Sequence, residues 1–168
     1  SEDRKRYGLI LSQDIATNIG LCNYKDLCKF GVINHDQETQ LAMEYTDKLK
    51  IKTPSVYQLA GNLSGGNQQK VILGKWMPTK PKVLIIDEPT RGIDVGAKVE
   101  IYNIMNQLVS EGICIVMISS ELPEILGMSD RIYVMKEGSV VAELDYKDAT
   151  QEKIMSYSAA SHTNSIDD

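Results

Sequence analysis

The chain has 168 residues, 42% apolar and 24% charged, with a net charge of −5. That composition suits one soluble globular domain, with room for a subdomain and a substantial core. The acidic balance argues against nucleic acid as a partner, and no apolar run approaches the length that spans a bilayer.

The charged start, Ser1 followed by Glu2-Asp3-Arg4-Lys5-Arg6, does not read as a signal peptide and has the look of a segment cut from a longer protein. Asp14 to Phe30 is predicted as a helix. A second, Asp36 to Ile51, carries a stripe of Leu41, Tyr45 and Leu49. Lys52 to Asn62, with Pro54 and Gly61, reads as a connector. From Asn67 to Met77 the pattern is helical, with Val71, Ile72, Leu73 and Trp76 available for burial, and Pro78 and Pro81 end it.

Val83 to Asp87 is a continuous apolar run, as expected of a parallel strand covered on both faces. Gly96 to Ser110 is another helix, with Val99, Tyr102, Ile104, Met105, Leu108 and Val109 toward the interior. Ile113 to Ile118 is a second buried strand, in which Cys114 is read as a small core residue. Glu121 to Gly127 is a short helix. Glu137-Gly138 joins Arg131–Lys136 to Ser139–Leu144 as a hairpin. Ser161 to Asp168 is polar and reads as a frayed tail. Strands alternating with helices imply an α/β sheet preceded by a helical insert, divided as 1–62, 63–145 and 146–168. Cys22, Cys28 and Cys114 have no CxxC spacing, so free thiols are expected rather than a zinc site.

Two stretches carry chemistry. In Leu63-Ser64-Gly65-Gly66-Asn67-Gln68-Gln69-Lys70, paired glycines let backbone N–H groups approach an anion, and the helix that follows points its positive end at the same place. Ser64 adds a hydroxyl donor. A Ser-Gly-Gly turn by itself is most often only a turn; the eight-residue context gives it weight. In Val83 to Glu88 a buried strand ends in two acids, at the sheet edge where α/β proteins place their ligands. Asp87 is suited to Mg²⁺, a cation that prefers oxygen ligands, and Glu88 to accepting a proton from an attacking water or orienting it. An isolated Asp-Glu pair would read as solvated charge.

Both stretches resemble motifs of the ABC-type ATPases. Leu63 to Gln69 is similar to the signature motif, Val83 to Glu88 to the Walker B strand with its catalytic glutamate, and Gly92-Ile93-Asp94 to the D-loop. The resemblance implies a partial P-loop NTPase fold with a mostly parallel sheet, a helical subdomain and a C-terminal β-hairpin, the P-loop portion being absent. It implies ATP and Mg²⁺ as cofactors, with Leu63, Ser64, Gly65, Gly66, Asn67 and Gln68 at the nucleotide and Glu88 and Asp94 in catalysis. Asp87-Glu88-Pro89-Thr90-Arg91-Gly92-Ile93-Asp94 and Ser119-Ser120-Glu121 narrow the resemblance to the second cassette of bacterial monosaccharide importers. By resemblance, the partners are the first cassette of the same polypeptide, membrane permease subunits and, indirectly, a sugar-binding protein outside the membrane. The place is the cytoplasmic face of the bacterial inner membrane, peripherally bound. Nucleic acid is not expected. A soluble non-transport ABC ATPase, or a non-catalytic module completing a partner's ATP site, are the competing readings.

Three departures qualify the resemblance. No GxxxxGK[ST] loop occurs among the 168 residues, so weak ATP affinity and no independent ATPase activity are expected. Ser120 stands where most cassettes carry a switch histidine, and Glu2 where they carry the Q-loop glutamine. ABC sites form across a dimer, so the intact signature is expected to serve the partner's site while Glu88 belongs to a degenerate one. Sheet edges and faces left uncovered predict self-association or a local rearrangement of the sheet.

Overall fold

A computed structural model describes residues 7–159, in two compact units that meet in sequence between Ile118 and Ser119. The sequence reading put its boundaries elsewhere, after residues 62 and 145. Glu2 and the tail from Ser161 lie outside the described residues.

The first unit opens with α1 (Ile15–Gly20), whose N-cap Asp14 accepts from Thr17 N–H at 2.7 Å. The single helix expected over Asp14–Phe30 is broken. After Gly20 the buried Asn23 side chain donates to the carbonyls of Ile19 and Lys75, both at 3.3 Å, and only a short α2 (Tyr24–Leu27) follows. The backbone then turns through left-handed Phe30 (φ 52°) and Gly31 (φ 80°), joining β1 (Cys28–Lys29) to β2 (Val32–Ile33) as a small antiparallel ribbon. Two successive residues at positive φ suit a hairpin turn and no helix. Asn34 then caps α3 (His35–Lys48), and its buried stripe is Glu38, Ala42, Tyr45 and Leu49, with Leu41 at the margin.

Asn18 ties the entering chain to this helical part. Fully buried, its Nδ2 donates to the carbonyls of Asp14 at 2.8 Å and Ile10 at 3.0 Å, while its Oδ1 accepts from Ile10 N–H at 2.8 Å. Beyond the connector, a short 3₁₀ turn (Ala60–Asn62) leads into α4 (Gly65–Trp76), which buries Val71 and Leu73 against α1 and α3 and leaves Trp76 exposed.

β3 (Val83–Asp87) and β4 (Cys114–Ile118) pair in parallel, Val83 opposite Cys114 through Asp87 opposite Ile118, as the alternating pattern implied. α5 (Val95–Ser110) packs on β4 and buries Ile101, Met105 and Leu108, whereas Val99 and Val109, expected inside, are exposed. The stripe follows the helical period more strictly than hydrophobicity alone indicated.

Among the described residues, only one face of the strand pair is covered. Leu84 and Ile86 are buried, but Val83, Ile85 (67% exposed), Val116 and Ile118 are open to solvent, as is Cys114. Burial of β3 on both faces and of Cys114 in a core are therefore corrected. Successive residues of a strand alternate sides, and α5 occupies one side. Cys22, Cys28 and Cys114 form no disulfide with one another.

The second unit contains α6 (Leu122–Met128), the hairpin β5 (Arg131–Lys136) and β6 (Ser139–Asp145), and α7 (Gln151–Ala159). Its turn has Glu137 at φ 48° and Gly138 at φ 80°, as the Glu-Gly signal predicted, and a bulge falls between Val134 and Met135. Ile132, Val134, Leu144 and Ile154 form its core, with Leu122 and Ile125 packed against them.

Replacing Asn18 by Ala leaves a buried N–H and several carbonyls without their partner. We expect a loss of about 2–4 kcal/mol, read from urea unfolding of the chain. A loss below about 1 kcal/mol would mean that water replaces the side chain.

Candidate functional site

The N-terminus of α4 is the focus of the first unit. Ser64 sits at the N-cap in extended conformation, yet its side chain makes no cap hydrogen bond. Its Oγ instead accepts from Asn67 Nδ2 at 2.9 Å. Helix geometry leaves the N–H groups of Gly65, Gly66 and Asn67 without intrahelical acceptors, and the Ser64 side chain does not cap them. The helix dipole adds positive potential at the same point. Asn67 is fixed in turn by Lys52, whose backbone N–H donates to Asn67 Oδ1 at 2.8 Å.

A second helix begins beside it. Asp94 caps α5 by accepting from Ala97 N–H at 2.9 Å. The two helices approach so closely that a Cβ on Gly66 would lie 2.5 Å from Ala97 Cβ. Between them is an open cavity of about 200 Å³ lined by Lys52, Ser64, Gly66, Asn67, Asp94, Gly96, Ala97 and Glu100.

Glu100 organises the floor of this cavity. Its Oε2 pairs with Lys70 Nζ at 2.8 Å and its Oε1 with Lys52 Nζ at 3.1 Å. The Lys70 side chain is 2% exposed and also donates to the carbonyl of Lys50 at 2.8 Å, so a buried cation has both a counter-charge and a second acceptor. Hydrogen bonding from Lys70, then from Lys52, holds the Glu100 carboxyl below its ordinary pKa.

The sequence-predicted residues fall into separate groups. Ser64, Gly66, Asn67 and Asp94 share the cavity, with Gly65 in the same turn. The side chains of Leu63 and Gln68 are buried instead, and Gln68 Nε2 donates to the carbonyl of Ala60 at 3.2 Å. Asp87 and Glu88, both half-buried, stand at the end of β3 and do not line the cavity. Glu88 adopts left-handed backbone (φ 47°), held by its N–H bond to Ile118 O at 2.8 Å and by its carbonyl accepting from Arg91 N–H at 3.3 Å. That conformation costs a non-glycine residue about 1 kcal/mol, and such strain clusters at functional positions.

Ser120 is exposed at the start of the second unit. Its neighbour Ser119 donates to Glu124 Oε2 at 2.5 Å and accepts from Glu121 N–H at 3.0 Å. Among the described residues no cluster of three or more His, Cys, Asp or Glu is placed to hold a metal. The Asp87–Glu88 pair still fits Mg²⁺, which takes one or two carboxylates when phosphate oxygens and water complete its shell. Sequence reasoning missed Lys52, Gly96, Ala97 and Glu100. Gly96 and Glu100 lie four residues apart and Ala97 and Glu100 three apart, just after the D-loop acid Asp94, and that spacing was the available signal, since it puts them on one helical face.

The profile of the ABC transporter family matches residues 3–91. The chain belongs to the ABC transporter family. This ABC chain is 60% identical over 92% of its length to the xylose import ATP-binding protein XylG of Thermoanaerobacter pseudethanolicus, of which it covers 31%. It is 55% identical over 95% of its length to the ribose import ATP-binding protein RbsA of Clostridium tetani, covering 32% of that protein. It is 56% identical over 92% of its length to the L-arabinose transport ATP-binding protein AraG of Geobacillus stearothermophilus, covering 30%. The chain therefore spans about a third of the length of the curated relatives it matches.

In three dimensions it is similar to the ADP conformation of an ATP-binding cassette of an ABC transporter, with a TM-score of 0.66 at 27% identity over 88% of this chain and 59% of that one. A dimeric post-hydrolysis cassette bound to ADP and Pi gives a TM-score of 0.70 at 21% identity over 84% of this chain and 60% of that one, a likeness of fold. The fold is thus the P-loop NTPase fold of ABC cassettes, represented in part.

Because the Glu100 pKa is lowered on folding, its ionised form stabilises the fold above the ordinary glutamate range, and that contribution is lost as pH falls through the lowered value. Wild type is therefore expected to melt higher than Glu100→Gln at pH 7, with the gap closing as pH falls below the ordinary glutamate range. A gap independent of pH would show that the ion pairs contribute nothing.

Proposed function

We propose that the chain is part of the ATP-binding subunit of a carbohydrate ABC importer, and that its signature turn completes the nucleotide site of a partner cassette. One observation carries this reading: the uncapped helix end at Ser64-Gly65-Gly66, open to a cavity and backed by a second helix N-terminus. Relatives named for xylose, ribose and L-arabinose transport support the substrate class.

In this mechanism the N–H groups of Gly66 and Asn67 and the hydroxyl of Ser64 donate to γ-phosphate oxygens of ATP held mainly by the other cassette. Donors fixed in advance stabilise charge that develops during transfer, at about 10²–10³ in rate for a single well-placed donor. Asn67 keeps Ser64 in place, and Lys52 keeps Asn67 in place. Glu88, at the end of β3, orients a water or takes its proton in the chain's own site. Mg²⁺ at Asp87 would neutralise charge on the β- and γ-phosphate oxygens.

That second site is the weaker one, because Ser120 stands where a histidine would supply a positive charge. The phosphate-cradling GxxxxGK[ST] pattern does not occur in these 168 residues, so taken alone they are inactive on this reading. Among the described residues no helix is long and apolar enough to cross a membrane. On this reading, coupling to transport runs through permease subunits at the cytoplasmic face of the bacterial inner membrane, and a sugar-binding protein supplies the substrate beyond them; the relatives named for sugar import support it.

In the full-length ATPase, Ser64→Arg fills the cavity and is expected to lower turnover more than 100-fold, whereas Glu88→Gln leaves it within about fivefold. Steady-state ATPase rates decide this, and equal losses would remove the asymmetry between the two sites.

The open face of β3 and β4 gives the 168-residue chain a second property on this reading. Val83, Ile85, Val116 and Ile118 form an exposed aliphatic surface beside strand edges, and such surfaces associate. Light scattering is expected to find self-association that Ile85→Asp reverses; a monomeric wild-type chain would refute it.

A further inference from the structure

Three segments far apart in sequence meet on one carboxylate. Glu100 of α5 receives Lys70 of α4 on Oε2 and Lys52 of the connector on Oε1. A counter-ion for buried Lys70 would need only one of those contacts. The second ties down Lys52, whose backbone N–H holds Asn67, whose side chain in turn donates to Ser64 Oγ. The hydroxyl at the helix end is therefore connected through three named bonds to a residue on the neighbouring helix.

The same neighbour carries Asp94 at its cap, roughly one and two-thirds turns before Glu100. At the crossing point, Gly66 lies against Ala97 with no room for another Cβ. Two contacts of different kinds thus lock α4 to α5: an ionic one at Glu100 and a steric one at Gly66.

We propose that Glu100 is a positioning residue that clamps the signature turn to α5, so that Ser64 and Asp94 face a nucleotide as one rigid block. The inference rests on the reading of the cavity as a nucleotide contact. With its two carboxylate oxygens taken by Lys52 and Lys70, Glu100 fixes the donors and is not one of them. A donor displaced by a fraction of an ångström loses more in the transition state than in the ground state, so the clamp acts on kcat. Gly66 has the matching steric role. Its missing Cβ matters because Ala97 is there, in addition to any closeness to phosphate.

The test uses the full-length ATPase at a temperature where circular dichroism finds every variant folded. Glu100→Gln keeps the shape of the side chain and removes its charge. It is expected to lower kcat at least tenfold with KM for ATP changed less than twofold. Gly66→Ala is expected to lose activity to a similar degree, and Ala97→Gly added to it to recover at least a third of wild-type kcat. Wild-type kcat in folded Glu100→Gln, or no recovery in Gly66→Ala with Ala97→Gly, would overturn the clamp. Ser64→Arg separates the two levels of the argument. Full turnover in that variant overturns the nucleotide reading itself, while an inactive Ser64→Arg beside a fully active Glu100→Gln overturns the clamp alone.

Discussion

The approach of α4 to α5 at Gly66 and Ala97 sets the geometry of everything around it. Because no Cβ fits between them, the N-termini of both helices open on the same cavity, and their dipoles add there. The close crossing brings Lys70 to Glu100 and leaves enough reach for Lys52 to share that carboxylate. A buried lysine would otherwise be costly; here it is neutralised by a residue that also braces the cavity. Packing and site are one feature in this region.

The acids at the end of β3 belong to a different arrangement. They stand outside the cavity, on a turn where Glu88 is held in left-handed backbone by pairing with Ile118 and by the bond from Arg91. The chain thus carries a set of hydrogen-bond donors at a helix end and, apart from them, a pair of carboxylates at a strand end.

Much of this was legible in the sequence, and the reasons differ by element. The Walker B strand, the signature helix and the Glu137-Gly138 hairpin declare themselves through local chemistry: an apolar run, a Gly-rich helix start, a turn pair suited to positive φ. The break after Gly20 was not legible, because Asn23 ends the helix by bonding to Lys75, 52 residues away. The one-sided burial of β3 was hidden for a similar reason. Val83 to Ile86 reads as uniformly apolar, and only the placement of α5 decides which side is covered. At the site, Ser64, Gly66, Asn67 and Asp94 follow from motif logic. Lys52, Ala97 and Glu100 depend on how two helices cross, and Gln68, attractive within the motif, is directed into the core by the helical period.

On the proposed function, the Ser64 turn contacts a nucleotide held by another cassette. The most direct measurement is the structure of the full-length ATPase with a non-hydrolysable ATP analogue. A γ-phosphate oxygen is expected within hydrogen-bond distance of the Gly66 or Asn67 N–H and of Ser64 Oγ, with the remaining phosphate contacts supplied by the other cassette. A nucleotide bound only beside Asp87 and Glu88, with the cavity at Ser64 empty, would contradict it.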